Sequence, residues 1–175
     1  MTVETSPRVA LVLVCSVLSF GCNPPAPCEH GSCSDAGLVI NELAGSGGDF
    51  VELFNASDTA FDLTSHALTD ADDAGIRYAT ALRFPAGASV PPRGFFTVFL
   101  EVDCPTTVSP CLRGEFGLSQ ANGDLVSLLN AANETLMQEA LPPNAATSGS
   151  SWARAWDGAG AFEVRSRTPG STNEK

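Results

Sequence analysis

The chain has 175 residues, with 20 acidic against 9 basic side chains and a formal net charge of −11. That balance excludes a nucleic-acid surface, which needs clustered Lys and Arg to displace counterions, and electrostatic docking on anionic lipid. The charge itself reads as solubility, and the length suffices for one hydrophobic core but is short for two.

The first element is an apolar stretch, Val9 to Phe20, preceded by Arg8 and the partly offsetting Glu4. It has about a dozen residues where a spanning helix needs roughly 20, so a signal peptide fits better than a membrane span. The segment Leu18-Ser19-Phe20-Gly21-Cys22 resembles the lipobox of bacterial lipoproteins. That family prefers Leu three positions before the cysteine; here Ser19 stands there and Leu18 lies one further out. The resemblance implies a signal peptide over residues 1–21, lipid on Cys22, and a mature chain tethered outside the cytoplasm. Asn23, where Asp would retain a lipoprotein at the inner membrane, implies the outer membrane by the same likeness. The alternative is an ordinary secretory signal, with Cys22 a disulfide partner.

Of six cysteines, Cys15 falls in the signal and Cys22 at its end. The remaining four, Cys28, Cys33, Cys104 and Cys111, read as two disulfides in an oxidising compartment. Three pairings are open, and the local one, Cys28 with Cys33 and Cys104 with Cys111, is preferred. A four-cysteine zinc site, with His30 inside the first loop, is the competing reading; the cysteine spacings are wider than zinc fingers use.

Residues 22–37 form a linker whose Asn23-Pro24-Pro25-Ala26-Pro27 is a stiff, extended spacer. A single domain is expected over residues 38–173. Its segments read as strands: Leu38–Leu43, Phe50–Phe54, Phe61–Leu63, Ala67-Leu68, Arg77-Tyr78, Leu82–Phe84, Phe95–Leu100, Leu125–Leu129, Leu136–Glu139 and Ser151–Ala155. Phe95–Leu100 has the aromatic and β-branched content of a buried strand. Turn signals recur at the rhythm of an all-β sandwich. The Asn133-Glu134 pair predicts a hairpin tip rather than a helix over 130–140.

An ordered series of short motifs follows. Val39-Ile40-Asn41-Glu42, Phe50-Val51-Glu52-Leu53-Phe54-Asn55, Asp62-Leu63 and Leu68-Thr69-Asp70 open it; Phe84-Pro85, Val90–Phe95, Phe116–Ser119 and Gly123–Leu128 continue it. Ser151-Trp152-Ala153-Arg154 and Thr168-Pro169-Gly170-Ser171-Thr172-Asn173 close it. Together they resemble the lamin-tail domain, which implies an all-β, immunoglobulin-like β-sandwich. Phe50 stands where that family often has Trp, and the Cys104 to Cys111 stretch looks like an insertion.

Several residues are candidates for chemistry. Strand alternation sends Val51 and Leu53 to one face and Phe50, Glu52 and Phe54 to the other. Asn41-Glu42 and Glu52 suit structural hydrogen bonding at strand ends better than a catalytic carboxylate pair, because buried polar groups need partners anyway. Asp70, Asp72 and Asp73 begin like a calcium loop, with Gly75 at position six. Ala74 at position five and Ala81 at position twelve exclude an EF-hand, leaving a looser surface calcium site or a solvated acidic loop. His66 beside Ser65 lacks the nucleophile elbow of a hydrolase. Trp152 and Trp156 flank Arg154 and are candidates for stacking on sugar rings; the competing reading puts Trp152 in the core and leaves Trp156 partly exposed.

The resulting expectation is a non-enzymatic, lipid-anchored envelope protein acting as an interaction or structural module, for adhesion or targeting. It needs no cofactor, with calcium the one candidate. Its partners would be the membrane, through the lipid, and an envelope protein or polysaccharide; nucleic acid is excluded. A small secreted calcium-dependent hydrolase using Asp70, Asp72, Asp73 or His66, and a carbohydrate-binding module using Trp152 and Trp156, are the alternatives.

Overall fold

The computed structural model describes residues 37–71 and 81–173. The expectations for residues 1–21, Cys22, Cys28, His30, Cys33, Asp72, Asp73 and the Arg77-Tyr78 strand lie outside those residues. Within them the chain is all-β. The strands are β1 (Leu38–Ala44), β2 (Asp49–Asn55), β3 (Phe61–Asp62), β4 (Ala67–Thr69), β5 (Leu82–Arg83) and β6 (Ser89–Val90). They continue with β7 (Phe95–Leu100), β8 (Cys111–Gly114), β9 (Asp124–Leu129), β10 (Thr135–Leu141), β11 (Ser150–Trp156) and β12 (Ala159–Ser166). A six-stranded sheet in the order β12-β11-β1-β2-β7-β8 faces a four-stranded sheet in the order β10-β9-β4-β5, and β3 pairs with β6 alone. All pairings are antiparallel except β7 with β8.

Between the sheets lies one core. Leu38, Ile40 and Leu43 of β1 and Val51 and Leu53 of β2 meet Leu68, Val126, Leu128, Met137 and Leu141 from the opposite sheet. Period-two alternation places these side chains, as read for Val51 and Leu53. Both faces of β2 are nonetheless buried. On its far side Phe50 joins Phe99, Ala44 and Val108 in a second, smaller apolar cluster, with Cys104 and Cys111 packed against it. Val108 belongs to the β7–β8 connection, which folds back over the outer face of the large sheet. The Cys104–Cys111 disulfide closes that connection, one of the two local pairs preferred from the sequence. Its return explains the parallel β7–β8 pair, in which Thr97 stands opposite Cys111.

The β9–β10 hairpin turns where Asn133-Glu134 predicts it. Asn130 Oδ1 accepts from the N–H groups of Ala132 and Glu134, and Asn133 takes the left-handed φ of 64° that Asn tolerates. Three strands escaped the sequence reading. Short β6 carries too few residues for a pattern. Cys111–Gly114 looks like part of a loop until the disulfide returns it to the sheet. In β12, three small residues precede Phe162, which hides the strand.

Truncation at the centre of the core tests this packing. Leu53 is fully buried, so Leu53→Ala should destabilise the domain by about 2–5 kcal/mol. A shift of the urea midpoint with unchanged slope is the expected readout.

Candidate functional site

The densest polar arrangement is built on a break in alternation. The register of β1 on β2 shifts between Ile40 and Glu42, a β-bulge. Ile40 and Leu43 point into the core, so the bulge turns two consecutive residues, Asn41 and Glu42, toward the outer face. Glu42 stands directly opposite Glu52 of β2. Two carboxylates thus share one patch, both wholly buried.

What covers them is the C-terminal segment after β12, which crosses the outer face as a strap. Glu42 accepts from the Thr168 N–H at 3.0 Å and from the Thr168 hydroxyl at 2.9 Å. Glu52 accepts from the Gly170 N–H at 2.6 Å, from Asn41 Nδ2 at 3.1 Å and from the Thr97 hydroxyl at 3.3 Å. Asn41 also donates to Asp157 Oδ1 and accepts the Gly158 N–H, both at 3.0 Å, which binds the β11–β12 turn into the network. Asn173 ends the strap. Its N–H reaches Asp157 Oδ1, its side-chain oxygen takes the Thr168 hydroxyl, and its amide donates to the Arg154 carbonyl at 3.2 Å. At Gly170 the chain has a φ of 76°, and a Cβ there would come within 2.9 Å of Val108, so the turn needs glycine.

Arginines hold the margins. Arg154 Nε donates to the Ile40 carbonyl at the bulge at 2.9 Å, and its guanidinium pairs with Glu139 of β10, tying the two sheets together. It lies 4.7 Å from the centre of the Phe162 ring. Arg167, leading into the strap, donates to the carbonyls of Gly47 and Gly48 in the β1–β2 turn and stacks over Phe50.

Burial sets the protonation of the pair. It pushes Glu52 up to about 8, against the Gly170 N–H, and the Glu42 charge opposite raises it further. Burial raises Glu42 as well, while its Thr168 bonds and the Arg167 charge pull the other way. Chemically the arrangement is a lock: two carboxylates whose oxygens are occupied by donors from the strap and the sheet.

The first ten strands of this sandwich, up to Ala140, carry a family signature: residues 32–140 match the model of the Lamin Tail Domain. The chain belongs to the lamin tail domain family. No curated protein matches it. In this lamin tail domain β11, β12 and the strap lie beyond the matched residues, yet they supply half of the lock and complete the large sheet.

The other candidates sit apart from the lock. Asp70, just after β4, is 4% exposed, and its Oδ1 finds no hydrogen-bond partner among the described residues. Burial, helped by the charge of Asp124, pushes it up to about 6. No group of three metal-ligating side chains occurs among the described residues. His66 is held by the Thr64 carbonyl at 3.2 Å, edge-on to Phe61, and no bond joins it to Ser65 among the described residues. Trp152 packs against the core and stacks on Phe162, while Trp156 is 59% exposed. The two do not form one exposed platform, because the β11–β12 register shifts between Arg154 and Trp156.

Reading from the sequence placed Asn41-Glu42 and Glu52 in structural hydrogen bonding but at strand ends; they lie within strands, at a bulge. Thr168, Gly170, Asn173, Asp157 and Arg154 were missed as their partners. One signal was available, the polar doublet Asn41-Glu42 interrupting an apolar strand.

The pH dependence follows with a definite sign. Glu52 has an ordinary value of 4.5 and is raised to about 8 in the fold, so the native state holds the proton more tightly. Its contribution is complete below 4.5 and is lost as pH rises through 8. Urea midpoints should therefore fall between pH 5 and pH 8, by on the order of a few kcal/mol in stability. Glu52→Gln, which carries no charge at any pH, should show a smaller decline in stability between pH 5 and pH 8 than wild type.

Proposed function

We propose that this lamin tail domain is a non-catalytic interaction or structural module, displayed on a bacterial envelope by lipid at Cys22, with the outer membrane favoured. Its partner is an envelope protein or polysaccharide. One observation carries the non-catalytic reading: the carboxylate pair best suited by type to acid–base work is sealed under the strap, its oxygens occupied by Thr168, Gly170, Asn41 and Thr97. A general acid or base needs reach to a substrate proton, and these have none. The anchor is supported by the apolar segment ending at Gly21-Cys22 and by the Pro-rich spacer after it, which would hold the sandwich clear of the surface.

The anchor has a direct test in the intact mass of the protein from membranes of its native host. The expected mass fits a chain starting at Cys22 with acyl groups, and that species disappears in Cys22→Ser. An unacylated chain cut elsewhere rejects the tether and makes the domain a freely exported module.

Asp70 supports a second reading, calcium binding at the β4 end of the domain. A buried carboxylate oxygen without a partner among the described residues, beside a second carboxylate, is stabilised by a divalent cation. Calcium should then raise the melting temperature of the wild type by a few degrees over the chelated protein, and Asp70→Asn should abolish the response. Identical melting with calcium and with chelator rejects it.

A further inference from the structure

The strand β12 ends the large sheet, has eight residues, and is mostly exposed along its length. Among the described residues its free edge pairs with nothing. Such an edge offers a row of backbone donors and acceptors to another strand. The four-stranded sheet stops at β10, which packs over β1, so the core-facing side of β12 overhangs the sandwich. Val164 on that side is 56% exposed, though it sits opposite Trp152. On the outer side an open groove of about 280 Å³ runs beside the strap, lined by Glu163, Arg165, Thr168 and Asn173 among others.

We infer that β12 is a self-pairing edge through which a second copy of this chain docks, antiparallel, about a two-fold axis at Val164. The strand's own sequence selects that register. With the axis at Val164, Glu163 of one copy stands opposite Arg165 of the other, and the pairing is repeated by symmetry. Val164 meets Val164 on the overhanging side, where cross-strand apolar contact is strongest. Moving the axis one residue in either direction sets Glu163 against Glu163 or Arg165 against Arg165. Within one copy Glu163 and Arg165 already pair along the strand, so both charges are held on the same face as they approach the neighbour. A two-fold contact of this kind is self-complementary and closes, giving a dimer and not a fibre. The inference does not depend on the anchor at Cys22.

Sedimentation of the full chain, carrying Cys22→Ser so that no acyl group drives association, tests it. The expected result is a concentration-dependent dimer. Glu163→Arg alone and Arg165→Glu alone each place like charges opposite one another twice, and each should weaken self-association roughly tenfold. Mixed together, the two variants restore opposite charges in every pair and should dimerise like the wild type. Should Arg165→Glu lose the fold along with its bond to Asn173, Val164→Lys sets two ammonium groups together at the axis and should dissociate the dimer. A wild type that stays monomeric at all concentrations overturns the inference. So does a dimer indifferent to these substitutions, or a mixture that fails to recover.

Discussion

Two carboxylates, Glu42 and Glu52, stand opposite each other in neighbouring strands, away from water. Unpartnered, that arrangement would be ruinous: each charge loses its hydration and each repels the other. The sheet supplies only some of the donors needed, through Asn41 and Thr97. The remainder arrive from the far end of the chain, as the Thr168 and Gly170 N–H groups and the Thr168 hydroxyl. The sandwich is therefore completed electrostatically by residues more than a hundred positions away from those they satisfy.

This dependence organises the outer face of the large sheet. An antiparallel sheet can leave one face to solvent, yet here the central part of that face, over β1, β2 and β7, is covered. Val108 in the disulfide-closed connection packs on Phe50 and Phe99, and Gly170 in the strap fits against Val108. Arg167 fastens the start of the strap to the β1–β2 turn, and Asn173 fastens its end to Arg154 and Asp157. The bulge links these pieces. It turns Glu42 outward beside Asn41 and leaves the Ile40 carbonyl for Arg154, whose other end bridges to Glu139 across the sandwich. One irregularity in β1 thus connects the strap to the interface between the sheets.

The sequence made the strands with period-two apolar patterns legible, along with the β9–β10 hairpin and the face assignment of Val51 and Leu53. Local chemistry decides each of these, through side-chain alternation or an Asn suited to positive φ. The lock was not legible to the same degree. Its members are scattered from Asn41 to Asn173, and sequence distance says nothing about which donor reaches which oxygen. Alternation put Glu52 on one face with Phe50 and Phe54, but nothing near it in the sequence points to the strap that satisfies it. Trp152 and Trp156 show the same limit: their spacing suggests one surface, and a register shift in β11 separates them.

Charge burial also bears on what kind of protein this is. A catalytic carboxylate with a raised pKa is useful when one oxygen remains free to meet a proton on a substrate. Glu52 has the raised pKa, but its donors are the backbone of Gly170 and side chains of the sheet, all internal. Its protonation is therefore coupled to closure of the strap. The same strap leaves β12 open on its outer edge, since it crosses toward β1 and β2 after Ser166 instead of folding back along the strand. The chain spends its polar complementarity inside, on closing the sandwich, and leaves backbone groups and alternating charges at one edge.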